Sequence, residues 1–242
     1  MNRLCNFIAT CGGALLLLLN PAAGQAQICD HPFGFAKNSE FVFNVTQKGK
    51  PQGTISNKVV QQDVDEDGYV ITTFKSTRIS AKRRAETADE FHLRCKGDTT
   101  YFDAMILLKE QTLKTFDGKD FEYIPTDIAY PHQMKTGQTL PPAKLGVQIR
   151  SSNIDLTYVN MELANRKVQG KEQVTTPAGT YDCFKIESSY TVTMEAMGLT
   201  LRDTYKVEEF YSPQFGLIKC QFLNKKGKNA KGLELLSRKD PS

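Results

Sequence analysis

Three aspartates, Asp63, Asp65 and Asp67, followed by Gly68, set carboxylate oxygens at alternate positions, as the first half of a calcium loop does. The position that should supply the bidentate glutamate is Phe74, and both flanks read as strands where a helix–loop–helix site needs helices. An Asp-Gly hairpin turn accounts for the same letters and is the preferred interpretation. Three histidines, His31, His92 and His132, are the candidates for base catalysis or zinc, and they are widely separated with no HExxH or GxSxG pattern beside them. His92 stands next to Leu93 in a strand-like stretch, where a packing or surface role is expected. Glu208 and Glu209 are adjacent, so on a strand they point to opposite faces and cannot share a substrate. No catalytic, metal or cofactor-binding residue is assigned, and the chain is expected to be non-enzymatic and to need no cofactor.

The cysteines are more informative, but only once the N-terminus is interpreted. Arg3 provides a basic start, an apolar run extends from Phe7 to Leu19, and Gly24-Gln25-Ala26 offers small residues for cleavage. This pattern predicts a signal peptide over residues 1–26, too short to span a bilayer at about 20 apolar residues. Neither Cys11, preceded by Thr10, nor Cys29, preceded by Ile28, has the small residue that lipidation requires. The mature chain is therefore expected to be exported, periplasmic or secreted, with no lipid or transmembrane anchor of its own.

Cleavage leaves Cys29, Cys95, Cys183 and Cys220, an even set suited to bridging in an oxidising compartment. No CxxC pair points to zinc or thiol redox chemistry. Of the three possible pairings, Cys29–Cys95 and Cys183–Cys220 are favoured. Cys183 is out of phase with the Phe184 and Ile186 face, so the second bridge needs a bulge near Asp182.

The elements that would position these residues repeat with period two. Phe184, Ile186, Tyr190, Val192 and Met194 share one face, and Leu199, Leu201, Tyr205 and Val207 alternate after a turn near Ala196 to Gly198, which predicts a long hairpin. These nine residues are the candidates for an apolar face or cavity wall. Phe41, Phe43 and Val45 alternate before a turn at Gly49 to Gly53, and further strands are expected at Ile55–Val64, Tyr69–Phe74, Phe91–Cys95, Thr100–Leu107, Ile154–Leu163, Val168–Thr175, Leu217–Leu223 and Leu233–Ser237. Ala81 to Ala88 is expected as a short helix or a loop. The fold class is all-β: a single antiparallel, strongly curved sheet forming an open barrel or sandwich, with little helix. Residues 27–242 read as one β-rich domain, with a possible subdivision near 130–144, where Pro131, Gly137, Pro141 and Pro142 cluster.

Charge excludes some partners. Lys+Arg number 31 against 27 Asp+Glu, a net charge of +4, and this gives no electrostatic case for nucleic acid. The run Lys225-Lys226-Gly227-Lys228 lies between strand-like segments and reads as a solvated hairpin tip.

Val168-Gln169-Gly170-Lys171-Glu172, and then Val174 through Ile186 with the core Thr176-Pro177-Ala178-Gly179-Thr180, resemble the signature of TapB-like envelope proteins, the domain-of-unknown-function 3108-like family. Tyr211 to Lys219, Met134 to Leu140, and an early cysteine followed by Cys95-Lys96-Gly97-Asp98 are similar to the same family. The resemblance implies an exported, mostly antiparallel β protein of Bacteroidetes-type bacteria and carries no catalytic residues with it. Many relatives look lipid-anchored, and this chain departs from them there. In physical terms Pro177 ends a ladder and Gly179 permits a tight turn, which is hairpin punctuation.

The function expected is an envelope binding or assembly module, its partner an envelope protein, a glycan or a lipid. The alternative is a carrier of an apolar ligand in a half-barrel cavity, and a second alternative is a hydrolase without a recognisable motif. A roomy interior lined by Phe184, Tyr190, Met194, Leu201 and Tyr205 favours the carrier, and a filled interior removes it.

Overall fold

The computed structural model describes Cys29 and residues 32–82, 85–107, 116, 118–196 and 198–240. The signal segment 1–26 and His31 lie outside the described residues. The chain forms β1 (Glu40–Gln47), β2 (Lys50–Val64), β3 (Val70–Ser80), β4 (Ala85–Lys96), β5 (Thr99–Phe102), β6 (Asp120–Thr126), β7 (Ile128–Pro131), β8 (Ala143–Ser151), β9 (Ile154–Thr176), β10 (Gly179–Ala196), β11 (Leu199–Ser212), β12 (Gly216–Leu223) and β13 (Asn229–Lys239). They make one antiparallel sheet in the order β6-β8-β9-β10-β11-β12-β13-β1-β2-β3-β4-β5-β7, nearly closed into a barrel.

Local chemistry sets the hairpins. Between β2 and β3, Asp65 Oδ1 accepts the Tyr69 N–H at 2.8 Å and Gly68 takes φ 79°, so the acidic cluster acts here as turn punctuation. Between β9 and β10, Thr176 Oγ1 accepts the Ala178 N–H at 3.2 Å and Gly179 adopts φ 136°. The β10–β11 hairpin has the expected register, with Tyr190 opposite Tyr205 and Met194 opposite Leu201. The lysine run forms the exposed β12–β13 turn, where Asn224 Oδ1 accepts the Lys226 and Lys228 N–H groups.

The two ends of the sheet come from one stretch of chain. β6 pairs with β8 and β7 pairs with β5, yet only Asp127 separates β6 from β7. This segment therefore spans the gap between the sheet edges, and Arg94 of β4 anchors it by an ion pair to Asp127. The hydrogen bond to Asp127 holds the Arg94 guanidinium above its ordinary pKa.

Four expectations are corrected. The stretch from Ala85 to Ala88 is strand, the start of β4, because its backbone pairs with β3 across Ile79↔Ala85 and Thr77↔Ala88. The strand expected over Thr100–Leu107 stops at Phe102 and becomes a 3-10 turn at Ala104–Leu107, whose start is fixed by Asp103 Oδ1 accepting the Met105 N–H. β6, β7 and β8 were not anticipated, and the two strands expected over Ile154–Thr175 are one, β9. Finally, Cys29 and Cys95 are bridged, but Cys183 and Cys220 are buried, unbonded thiols.

The failed pairing has a geometric cause. β10 and β12 flank β11 on either side, with Phe184 opposite Tyr211 and Cys220 opposite Glu209. Two strand spacings, roughly 9–10 Å, separate the cysteine-bearing strands, beyond the reach of a disulfide. The β10 register shifts lie at Lys185/Ile186 and Glu187/Ser189, not at Asp182. Burial pushes the Cys183 thiol up to about 12 and the Cys220 thiol well above its ordinary value, so both are protonated and inert at neutral pH.

Candidate functional site

A cavity of about 450 Å3 lies against the inward-facing positions of β1, β2 and β3, with Leu217, Phe222 and Leu233 of β12 and β13 among the rest of its lining. Period two selects its wall: Phe41, Phe43 and Val45; Ile55, Asn57 and Val59; Phe74, Ser76 and Arg78. Eight phenylalanines line it in all, which makes the lining largely apolar and aromatic, interrupted by polar side chains such as Gln52, Asn57 and Ser76. The volume falls within the range of about 300–1,000 Å3 typical of small-molecule sites.

At one end of the cavity its lining rings pack together and the barrel is filled. Phe35 packs edge-on to Phe41 at 4.3 Å between ring centres, Phe33 touches both Phe35 and Phe102, and Phe102 packs edge-on to Tyr130. Beneath this layer lies a buried polar cluster. Arg166 is fully buried, with its Nη1 donating to Ala129 O at 2.9 Å and Pro141 O at 3.1 Å and its guanidinium 4.7 Å from the Tyr130 ring centre. Tyr130 stacks on Tyr211 at 4.5 Å and donates its hydroxyl to Glu209 Oε1 at 2.6 Å. Burial pushes the Tyr130 phenol well above its ordinary pKa, Glu209 adds to this, and Arg166 opposes it. Arg166 Nε and Nη2, Glu209 Oε2, Tyr211 OH and Ser188 Oγ find no hydrogen-bond partner among the described residues.

A distortion of β9 places the arginine. Ser189 pairs with Ala164 and Glu187 with Lys167, so Asn165 and Arg166 stand out of the ladder opposite Ser188, and Asn165 takes φ 54°. Such a bulge re-aims a side chain that regular alternation would place elsewhere. The adjacent carboxylates divide as strand geometry requires. Glu208 faces outward to Lys206 at 3.2 Å and Lys185 at 3.3 Å, while Glu209 is internal. Burial raises the Glu208 carboxyl, but the lysines outweigh it and hold the pKa below its usual value.

The structure distributes the predicted face differently from the expectation. Phe184, Ile186, Tyr190 and Val207 are buried core, and Val192, Met194 and Tyr205 pack against that core. Leu199 and Leu201 are 71% and 66% exposed. Of the five residues expected to line a cavity, Tyr205 alone does so. The interior beside β8–β11 is occupied by Leu145, Val147, Val159 and Met161, and the open space lies against the opposite wall. The leucines are exposed because, among the described residues, the β11–β12 ladder begins only at Lys206↔Leu223, which leaves Leu199–Thr204 in a ladder with β10 alone.

His92 and His132 are not brought together as a catalytic pair. The His92 side chain is half-exposed, 3.9 Å from Asp103, whereas His132 Nε2 lies 2.9 Å from Thr100 Oγ1 with its ring stacked on Phe33. Burial lowers the His132 pKa against the pull of Asp98. Sequence reasoning missed Arg166, Tyr130 and Tyr211. The Phe41, Phe43 and Val45 alternation was the available signal for the cavity wall.

A family model described as DUF3108-like matches residues 40–235. Two solved structures share the fold at 17% identity, each covering 84% of this chain and 96% of its own: a "putative lipoprotein" of Parabacteroides distasonis, TM-score 0.67, and a "putative exported protein with YmcC-like fold" of Bacteroides fragilis, TM-score 0.62. No curated protein matches the chain.

Proposed function

This chain belongs to the DUF3108-like family, and from that premise we propose that it is a non-enzymatic carrier of an apolar ligand in the bacterial envelope. The observation that carries the proposal is the roughly 450 Å3 cavity with its eight phenylalanines. A core serving stability alone gains nothing from such a space, since an empty volume forfeits dispersion contacts and costs stability with its size. Placement in the envelope is supported by the signal-like segment 1–26 and by the exported and lipoprotein descriptions of the two structural neighbours.

Native mass spectrometry and solvent extraction of the purified protein test this directly. A co-purifying apolar molecule is expected, together with saturable uptake of the neutral fluorophore N-phenyl-1-naphthylamine that Phe43→Glu abolishes. An empty protein that takes up no fluorophore overturns the carrier.

The assembly-module reading draws on a different observation. Among the described residues, the β11–β12 ladder starts at Lys206↔Leu223, so the β11 edge over Leu199–Thr204 pairs with no strand on that side, and it carries two exposed leucines. An open edge of this kind accepts an added strand, here from a second copy of the chain.

A further inference from the structure

We propose that the ligand is an amphiphile with an anionic head, its apolar chain lying against the phenylalanines and its head at the cavity mouth near Lys48, Arg78 and Lys231. The inference rests on the carrier reading and deepens it. Among the described residues lining the cavity, every charged one is a cation, and no carboxylate joins them. The cations are also segregated along the cavity. Lys48 is exposed in the β1–β2 turn, and its N–H donates to Ala230 O at 3.0 Å. Lys231 follows Ala230 and stands opposite Gln47 at the same end of the sheet. Arg78 lies opposite Ile55, two residues from the end of β3.

The other end is apolar. Val59 and Phe74 are buried there directly opposite each other, and Phe41, one row nearer the cations, is buried against Phe35. A fully apolar guest needs no charge at the mouth, and a cationic one is repelled by it. An anionic head gains charge-assisted hydrogen bonds at that position while its chain leaves water. Arg78 and Lys231 also make contacts within the protein, so they supply a positive field and shared donors, not empty sites. Neutral polar side chains, Asn57 and Ser76, stand in the row of Phe41, between the Arg78 row and the Val59–Phe74 pair.

Displacement of N-phenyl-1-naphthylamine by a matched series tests the head group: dodecanoate, dodecyl phosphate, dodecan-1-ol and dodecyltrimethylammonium, each below its micellar concentration. Dodecanoate or dodecyl phosphate should bind about tenfold tighter than the alcohol, and whichever is tighter identifies the head. Raising the salt concentration should weaken the anions and leave the alcohol unchanged. The double variant Lys48→Gln/Lys231→Gln, and separately Arg78→Gln, should remove most of the anion preference while retaining dodecan-1-ol binding, which also reports that the variants fold. If a variant fails to fold, the ligand series and salt dependence of the unaltered protein decide. Equal binding of all four, or tightest binding of the ammonium, overturns the anionic head and leaves the carrier standing. Failure of every chain to displace the fluorophore overturns both.

Discussion

Arg166 is the residue whose surroundings constrain it most. It is fully buried, yet two carbonyls and one aromatic ring satisfy only part of its guanidinium. The nearest acid in the network, Glu209, is reached through Tyr130 and makes no direct ion pair with it. Removing one member of a buried charged network leaves the other uncompensated, which costs more than the network itself contributes. Arg166→Met is therefore expected to destabilise the fold by about 3–5 kcal/mol in urea unfolding. The double variant Arg166→Met/Glu209→Gln should recover part of that loss, because no buried carboxylate then remains. Additive losses would show that the two charges act independently.

At the scale of elements, the overhang of the β10–β11 hairpin carries its own expectation. If the Leu199–Thr204 edge joins two copies of the chain, sedimentation velocity should show concentration-dependent association that Leu201→Lys removes, with a stability change within about 0.5 kcal/mol. Association that persists unchanged in Leu201→Lys rules out this edge. The hairpins were legible in the sequence because their signals are local: alternation on each side of Asp-Gly or Pro-Ala-Gly letters. β8 carried the same signal in Leu145, Val147 and Ile149, but β6 is almost wholly exposed, β7 has four residues, and neither pairs with its neighbour along the chain. The inward turn of Arg166 was illegible because it depends on unequal spacing between two strands, a property of neither strand alone. The position of the cavity was illegible for a related reason. Period two identifies the inner face of every strand, but which inner face meets filler and which meets space depends on the wall across the barrel.

For the whole molecule, the Cys29–Cys95 bridge ties the chain ahead of β1 to the end of β4 across a sequence separation of 66 residues. In the chain-entropy model a loop of that length stabilises the fold by about 4 kcal/mol. Reduction, or Cys29→Ser/Cys95→Ser, should lower the denaturation midpoint accordingly, and reducing agent should have no further effect on the double variant. An unchanged midpoint would mean that the sheet restrains the N-terminal segment without the bridge. The sheet also unites the ends of the chain: β1 pairs on one side with β2 and on the other with β13, from Glu40↔Lys239 to Gln47↔Lys231. Those partners are about two hundred residues apart in sequence, among the longest contacts the chain can make. The consequence is one of timing. A strand synthesised early keeps an open edge until β13 has been made, so synthesis of that late strand, not formation of the local turns, sets when the barrel can shut.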